Sequence, residues 1–262
     1  MSLQGKVAVV TGASRGIGRE ICLALAAGGA EVWAAARSLD ECTGAAGTLR
    51  QTVAAITAAG GAGEPLAVDV RDAHAVDSAF AQVLYRCRRL DLLVNGAGLM
   101  VGELRFEDTS PALWRDILDT NLTGAFLCCR AAIPAMLRGK GGVIVNLSSG
   151  AAVRTGFLNQ AYGVSKAGLD RLTRGLADEY RDRGIACISL SPSVSATETV
   201  RRMYPERDLA AYARPPDWPA RALVELLCHD QPMRYTGQVL PVRAYLTARG
   251  LLEPDPPPGG DG

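Results

Sequence analysis

Histidine and aromatic residues are scarce in this chain of 262 residues, which also has no long apolar run. It has two histidines and seven cysteines without a Cys-x-x-Cys pair, so no zinc-ligand spacing is present and we predict no metal site. The roughly 20 consecutive apolar residues that span a bilayer are missing, which predicts no membrane segment. A net charge of +1, without a basic stripe, predicts no nucleic-acid partner.

The spacing of the cysteines and the character of the first residues indicate a compartment. Isolated cysteines of this kind are typical of reduced thiols that serve as small hydrophobic side chains. An apolar, β-rich run at residues 6–10 follows MSLQG directly and leaves no room for a signal peptide. We therefore predict a cytoplasmic protein.

Apolar β-rich runs alternate with helix-length segments along the chain. Such continuous runs are typical of strands buried on both faces of a parallel sheet. The alternation predicts one domain over residues 1–250 with a doubly wound, Rossmann-like α/β fold, a mostly parallel seven-stranded sheet and helices on both faces. A Pro/Gly-rich tail at 251–262 is predicted to be disordered. Strands are expected at 6–10, 31–36, 65–69, 90–94, 142–147, 185–190 and 238–242, and helices at 16–27, 48–59, 73–86, 111–137 and 160–183.

A glycine-rich turn, TGASRGIG, lies between the first predicted strand and the first predicted helix. Strand, glycine turn and helix in this order are typical of dinucleotide binding. Gly12 permits the tight turn, Gly16 lets the backbone approach a pyrophosphate, and Gly18 lets the helix pack against the strand. The spacing is Gly-x-x-x-Gly-x-Gly, so the turn indicates a nucleotide site only in combination with other motifs.

A second motif combines a serine, a tyrosine and a lysine. Tyr162 and Lys166 are four residues apart and share one face of a predicted helix. A nearby ammonium lowers the pKa of a tyrosine, ordinarily about 10, by about 1–3 units. Ser149 follows a predicted strand, where it can donate a hydrogen bond to a substrate oxygen. The spacing predicts a proton-transfer site; the alternative is a surface tyrosine and lysine on an amphipathic helix.

Together these motifs resemble those of the short-chain dehydrogenases/reductases in their single-domain form, from about residue 5 to residue 242. Thr11–Gly18 is similar to the cofactor turn of that family, and Asn95–Gly98 is similar to its Asn-Asn-Ala-Gly segment. Four residues match the family's catalytic tetrad in order and spacing: Asn121, Ser149, Tyr162 and Lys166.

The resemblance implies an oxidoreductase that interconverts a small-molecule carbonyl and a secondary alcohol by hydride transfer. It implies that Tyr162 is the general acid/base, that Ser149 orients the carbonyl, and that Asn121 holds a proton-relay water. It gives Lys166 two roles, lowering the pKa of the tyrosine and holding the nicotinamide ribose. Alternatives are a buried, self-satisfied Asn121, a catalytically silent nucleotide-sensing relative, and an NAD-dependent alcohol dehydrogenase.

The resemblance also implies which residues hold the cofactor. Asp69 falls where family members bind the adenine amino group, although it can also cap the helix that starts near Asp72. In the loop after the sixth strand, Ser193 replaces the usual glycine. The expected cofactor-binding residues are Gly12, Ser14, Arg15, Gly16, Ile17, Gly18, Arg37, Asp69, Val70, Asn95, Ala97, Gly98, Tyr162, Lys166, Pro192, Ser195 and Thr197.

The end of the second predicted strand bears on the choice of cofactor. NAD-dependent relatives carry an acidic residue where this chain has Ala36, and Arg37 follows it. The planar fork of an arginine suits the 2′-phosphate of NADP, and Arg15 in the glycine turn is a second cation. We therefore predict NADP rather than NAD, the alternative being that both arginines are merely solvated.

The C-terminal part carries the expectations for substrate and assembly. Residues 198–218 are expected to fold over the substrate, and their arginines either receive an acidic or thioester-linked substrate or are solvated. The resemblance implies a homodimer or homotetramer. An Arg-Ala-Tyr-Leu sequence from Arg243 stands where the family has Asp-Gly-Gly, which puts the tetramer in question.

Overall fold

A single sheet of seven strands organises the computed structural model, which describes residues 2–40, 47–156, 158–211 and 213–253. Its order is β3-β2-β1-β4-β5-β6-β7, and each neighbouring pair is parallel. The predicted doubly wound sheet is confirmed, and it is parallel throughout. The strands are β1 (Val7–Thr11), β2 (Glu31–Ala36), β3 (Ala62–Ala67), β4 (Leu92–Asn95), β5 (Gly142–Leu147), β6 (Ile185–Ser191) and β7 (Val239–Pro241).

Helices connect the strands, and polar side chains cap several of them. Thr48 and Gln51 form a capping box at α2, while Asp72, Ser110 and Asn159 accept hydrogen bonds from the first turns of α3, α4 and α6. The α-helices in the described ranges are α1 (Gly16–Ala27), α2 (Leu49–Ala58), α3 (Ala73–Cys87), α4 (Pro111–Leu118), α5 (Gly124–Arg138), α6 (Gln160–Tyr180), α7 (Glu198–Met203), α8 (Trp218–Cys228) and α9 (Val242–Ala248).

Two hydrophobic layers cover the two faces of the sheet. Side chains alternate along a strand, so Ala8 and Val10 of β1 pack toward α1, α2, α8 and α9. Val7 and Val9 of the same strand pack on the opposite face, toward α3 and α5. Both faces of β1 are therefore buried, which explains why its sequence is continuously apolar.

Several predicted boundaries differ by one to three residues, and three differences change an element. The third strand runs from Ala62 to Ala67 instead of the predicted 65–69, so Asp69 lies beyond its end. The predicted helix over 111–137 is two helices, because a π-helical turn at Asp119–Thr123 separates α4 from α5. The last strand ends at Pro241, and Val242 begins α9. Of the predicted tail, residues 254–262 lie outside the described residues, whereas Leu252 packs against the core.

The strand order reverses between β1 and β4. The chain leaves β1 toward β2 and β3, and it returns to the other side of β1 with β4. Loops that leave the carboxyl ends of two such strands diverge and open a crevice, which is where doubly wound proteins bind ligands. Within the described ranges, no helix has the length and hydropathy that crossing a bilayer requires.

Candidate active site

A cleft of about 900 Å³ lies at the carboxyl ends of the strands, over this crevice. The residues that follow β1 to β6 contribute to its walls. All of the expected cofactor-binding residues except Asn95 line it, as do three of the four expected catalytic residues. Those lining it are Gly12, Ser14, Arg15, Gly16, Ile17, Gly18, Arg37, Asp69, Val70, Ala97, Gly98, Ser149, Tyr162, Lys166, Pro192, Ser195 and Thr197.

The glycine turn leaves no space for side chains where it meets its neighbours. Gly12 has a φ of +71°, and a Cβ there would lie 2.5 Å from the carbonyl oxygen of Gly96. A Cβ on Gly18 would lie 2.3 Å from the carbonyl oxygen of Gly12, so only glycine lets α1 start this close to β1. The predicted packing role of Gly18 therefore has a direct steric cause. This bare backbone cradle at a helix N-terminus fits a dinucleotide pyrophosphate.

Thr11 joins the glycine turn to the segment after β4. Its hydroxyl oxygen accepts hydrogen bonds from the backbone N–H groups of Gly96 and Ala97, both at 3.1 Å. The sequence motif predicts Thr11 only as part of the cofactor turn. Its polarity at the end of an otherwise apolar strand was the available signal for this positioning role.

Two arginines stand at the far end of the cleft from the tyrosine motif. The side chains of Arg15 and Arg37 line it and make no hydrogen bond or ion pair with other described residues. Guanidinium groups without a protein partner are available to a ligand anion, and their fork geometry matches phosphate oxygens. The donor set at this end therefore fits a phosphorylated ribose.

Asp69 has a protein partner inside the cleft. Its carboxylate accepts hydrogen bonds from the guanidinium of Arg71 at 2.7 and 3.1 Å, and this contact lowers the pKa of Asp69. The helix cap considered for Asp69 is made instead by Asp72, which accepts from the N–H groups of His74 and Ala75. Asp69 is thus held at the cleft wall beside Val70.

The tyrosine, serine and lysine come together where β5 and α6 meet. The hydroxyls of Ser149 and Tyr162 are joined by a hydrogen bond. The Nζ atom of Lys166 lies 5.7 Å from the centroid of the Tyr162 ring and donates to the carbonyl oxygen of Leu147 at 2.7 Å. Because the tyrosine is oriented from both sides, the surface alternative for this motif is excluded.

Burial dominates the electrostatics of this group. It raises the pKa of Tyr162, and the hydrogen bond from Ser149 lowers it only in part. Burial lowers the pKa of Lys166 to about 8, against the opposing effect of the Asp170 carboxylate. The expectation that Lys166 brings the pKa of Tyr162 below its ordinary value is not met in this structure, because desolvation of the phenolate has the larger effect.

Asn159 fixes the start of the helix that carries the motif. It adopts a left-handed conformation with φ of +97°, and its Oδ1 atom accepts from the N–H of Tyr162 at 3.1 Å. Its Nδ2 atom donates to the carbonyl oxygen of Gly102 at 3.1 Å, which ties α6 to the loop after β4. The site predicted from the sequence does not include Asn159, although an asparagine directly before a helical pattern indicates an N-cap.

Asn121 is buried behind the cleft, in the π-helical turn. Its Oδ1 accepts from the N–H of Leu99 at 2.6 Å, and its Nδ2 donates to the Leu99 carbonyl at 3.1 Å and to Ser165 Oγ at 3.0 Å. Ser165 in turn donates to the carbonyl oxygen of Tyr162 at 2.7 Å. The side-chain amide is thus satisfied by protein groups, as the alternative for Asn121 expected, and it links three elements around Tyr162.

Asn95 also lies behind the cleft rather than in its wall. Its Nδ2 donates to Asn146 Oδ1 at 2.8 Å, and Asn146 donates to Thr173 Oγ1 at 2.8 Å. This chain of hydrogen bonds crosses from β4 through β5 to α6, so the side chain of Asn95 braces the sheet. The described residues contain no group of three His, Cys, Asp or Glu side chains that could hold a metal ion.

The segment after β6 covers the opposite side of the cleft. Thr197 caps α7, and a Cβ on Gly16 would lie 3.2 Å from its methyl carbon, so this loop reaches the glycine turn. Ser193, which replaces the expected glycine, lines the cleft, and its carbonyl oxygen accepts from Ser195 Oγ at 3.2 Å. Farther along, Arg207 forms an ion pair with Glu103 across the cleft at 2.7 Å.

Comparison with known proteins gives concordant results. The family model for short chain dehydrogenase matches residues 6–208. The chain is 36% identical over 197 residues to a 3beta-hydroxysteroid dehydrogenase of Mediterraneibacter gnavus, covering 75% of this chain and 68% of the relative. It is 33% identical over 257 residues to a 3-oxoacyl-[acyl-carrier-protein] reductase of Synechocystis sp., covering 95% of each. A metagenomic short-chain oxidoreductase solved in complex with NADP superimposes with a TM-score of 0.76 at 33% identity, over 92% of this chain and 97% of that one.

Proposed function

Since the chain belongs to the short-chain dehydrogenase/reductase family and is an oxidoreductase, we propose that it interconverts a carbonyl compound and a secondary alcohol with NADP as cofactor. The observation that carries the proposal is the convergence of Ser149, Tyr162 and Lys166 in one wall of a cleft. The other end of this cleft is a glycine cradle with two arginines that have no ion-pair partner among the described residues.

The residues of the cleft divide the work between binding and proton transfer. Backbone groups of the glycine turn would hold the pyrophosphate, and Lys166 would hold the nicotinamide ribose. The bound nicotinamide supplies or accepts the hydride. Ser149 donates a hydrogen bond to the substrate oxygen, which fixes the carbonyl and stabilises negative charge on it.

Tyr162 transfers the proton. Because its phenol has a raised pKa, it is protonated at neutral pH and can donate to the substrate oxygen during reduction. The phenolate that remains is stabilised by the hydrogen bond with Ser149 and by the nearby ammonium of Lys166. In the oxidative direction the same phenolate accepts the proton of the alcohol.

The preference for NADP rests on Arg15 and Arg37. Neither guanidinium has an ion-pair partner among the described residues, and no acidic residue occupies position 36. A 2′-phosphate would supply the missing counter-charge, whereas the 2′-hydroxyl of NAD would leave both cations unpaired. The NADP complex of the metagenomic relative supports this choice.

Cofactor binding tests the first half of the proposal. We expect wild type to bind NADPH at least about tenfold more tightly than NADH in a fluorescence titration, since a charge-assisted bidentate contact contributes about 1.5–3 kcal/mol. Arg37→Ala should remove most of this difference, and Arg183→Ala, at the opposite edge of the sheet, should not. Equal binding of the two cofactors by wild type would contradict the NADP preference.

Turnover tests the second half against the sensor alternative. Wild type should oxidise NADPH in the presence of a panel of ketones and aldehydes, and Tyr162→Phe should bind NADPH normally while losing at least about 100-fold in kcat. If wild type binds NADPH tightly but reduces no carbonyl in the panel, a nucleotide-sensing role is the better interpretation.

We also propose a homodimer in a reducing compartment such as the cytoplasm. Phe126 of α5 and Val164 of α6 are 48% and 46% exposed, so neighbouring helices present large apolar side chains to solvent. The six cysteines among the described residues are free thiols, and four of them are buried.

A further inference from the structure

The substrate end of the cleft carries an unbalanced charge. This end is lined from the segments 100–103, 150–156 with 158, and 199–207, and its ionised lining side chains are Glu103, Arg154 and Arg207. Glu103 and Arg207 neutralise each other in an ion pair at 2.7 Å. Arg154 has no hydrogen bond or ion pair from its guanidinium to any described residue. One positive charge therefore faces the substrate space without a counter-charge among the residues that the structure describes.

The backbone places Arg154 beside the reacting group. Its N–H donates to the carbonyl oxygen of Gly150 at 3.0 Å, which closes a tight turn directly after Ser149. A Cβ on Gly150 would lie 3.6 Å from Arg154 Cδ, so the arginine side chain folds back over the residue next to the serine. A Cβ on Gly163 would lie 3.1 Å from the Ala151 carbonyl oxygen, which shows that this turn packs against α6 near Tyr162.

From this juxtaposition we propose that Arg154 binds an anionic group of the substrate. The substrate class is then an oxo acid and its hydroxy acid, with a carboxylate or phosphate a few bonds from the carbon that exchanges hydride. The guanidinium fork matches both anions. The inference rests on the proposed function, because Ser149 and Tyr162 define the position of the reacting carbon.

The ion pair on the opposite wall supports Arg154 as the residue that binds the anionic group. Glu103 would repel an anion placed close to it, but its charge is compensated by Arg207. The opposite wall therefore has no net charge, and the anionic group is attracted to the wall that carries Arg154. A neutral substrate cannot make a charge-assisted hydrogen bond with this guanidinium, so it should bind more weakly than its charged counterpart.

Binding of product alcohols to the NADPH-saturated protein tests the inference without turnover, since an alcohol cannot accept a hydride. The probes are matched pairs: 3-hydroxybutanoate with its methyl ester for the carboxylate, and glycerol 3-phosphate with glycerol for the phosphate. In calorimetric titrations, wild type should bind the anion of at least one pair about tenfold more tightly than its neutral partner. The pair that shows the difference identifies the anion.

Variants assign the effect to one residue. Arg154→Gln should abolish the tenfold difference, Arg154→Lys should keep part of it, and Arg154→Glu should reverse it. Arg183→Gln makes the same change of charge outside the cleft and should leave the difference intact. The double variant Glu103→Gln/Arg207→Gln should also preserve it, because it removes two charges that already cancel each other.

Three results would overturn the inference: equal binding within both pairs, a preference that survives in Arg154→Gln, or a preference lost in the Glu103→Gln/Arg207→Gln double variant. Reduction of neutral ketones with dependence on Tyr162, together with any of these results, would leave the proposed oxidoreductase activity standing and remove only the anionic substrate. Absence of any carbonyl reduction would instead count against the proposed function itself.

Discussion

Lys166 is a charged residue that lies in a buried environment. It is a buried amine that donates to the carbonyl oxygen of Leu147, and burial lowers its pKa to about 8. Burying an ammonium is unfavourable, so the chain gives up stability to hold this charge beside Tyr162. The buried ammonium of Lys166 therefore lowers the stability of the fold, while the proposed proton transfer requires it.

We predict that Lys166→Met raises the free energy of unfolding at pH 7, by up to about 3 kcal/mol. Between pH 8 and 10.5 the unfolded chain binds a proton at this lysine that the folded chain does not, so wild-type stability should rise with pH across this window. The variant should lack that rise. Denaturant titrations from pH 7 to 10 measure both effects, with the exposed Lys140→Met as control; a less stable Lys166→Met would contradict the prediction.

The same group predicts how activity depends on pH. The ammonium stabilises the phenolate of Tyr162 only while it is protonated, and its pKa is about 8. We therefore expect kcat/KM for carbonyl reduction to decline above about pH 8. Initial rates from pH 6 to 10 test this, and a constant kcat/KM up to pH 9.5 would show that the lysine charge is not required.

At the residue scale, the sequence pattern points to Tyr162 and Lys166 as the proposed reacting groups, but it does not give the direction of their pKa shifts. The four-residue spacing of Tyr162 and Lys166 can be read from the sequence, and helix periodicity then places both on one face. The direction of their pKa shifts depends on how deeply the packed sheet buries them, and burial is a property of the folded chain. Likewise, Asn159 and Thr11 hold neighbouring loops through contacts that are distant in sequence.

Among the elements, the π-helical turn at Asp119–Thr123 does the most specialised positioning. It holds Asn121 where its amide satisfies both backbone groups of Leu99 and contacts Ser165, which lies one turn after Tyr162. A regular helix would rotate the side chain away from these partners, since π-turns shift the helical register at functional sites.

We predict that Asn121→Ala lowers the free energy of unfolding by about 1–3 kcal/mol, because it leaves the part-buried N–H and C=O of Leu99 without their Asn121 partners. Activity should fall as well, since Ser165 loses its link to the π-turn. Thermal unfolding and kcat measure the two effects. Thr123→Ala, an exposed change in the same turn, should leave both within error of wild type.

The start of α1 gives a steric prediction. Gly18→Ala would place a Cβ 2.3 Å from the Gly12 carbonyl oxygen, so the helix must move away from β1 and the cofactor cradle must widen. We expect a lower melting temperature and loss of measurable NADPH binding. Gly175→Ala in α6 meets only the flexible tip of Arg171, and it should be neutral or stabilise by up to about 1 kcal/mol.

Element boundaries show where sequence patterns stop being informative. The sequence pattern predicts one helix over 111–137, whereas the structure has a π-helical turn at Asp119–Thr123, because whether a helix bends or breaks depends on what packs against it. The third strand starts upstream of its apolar core because Ala62 and Gly63 pair with β2 through backbone groups alone, whatever their side chains. Val242 continues the apolar pattern of β7, yet it lies in α9.

On the scale of the whole molecule, we place the proposed self-association surface on the outer faces of α5 and α6, where Phe126 and Val164 are exposed. Phe126→Glu should shift the proposed homodimer to a monomer, because a carboxylate cannot be buried there without a partner. Sedimentation velocity at several protein concentrations measures the change, with Tyr85→Glu on α3, an exposed aromatic residue on another helix, as the control. A wild type that sediments as a monomer at every concentration would contradict the proposal.

The global fold followed from sequence more completely than the chemistry of its ligands. Alternating apolar runs and a glycine turn specify a doubly wound sheet, since only helices on both faces bury such strands. The proposed anion site instead involves Arg154, Glu103 and Arg207, which are separated by up to 104 residues and line one cleft only after folding.

The position of β4 beside β1 also bears on how the chain is synthesised. β1 begins at Val7, and its partner begins at Leu92, so 85 residues separate the two starts. At 5–20 residues per second, β1 leaves the ribosome about 4–17 s before β4 can pair with it. During that interval the nascent sheet exposes an apolar edge that chaperones can recognise. A chain truncated between β3 and β4 keeps this edge permanently, and we expect such fragments to aggregate.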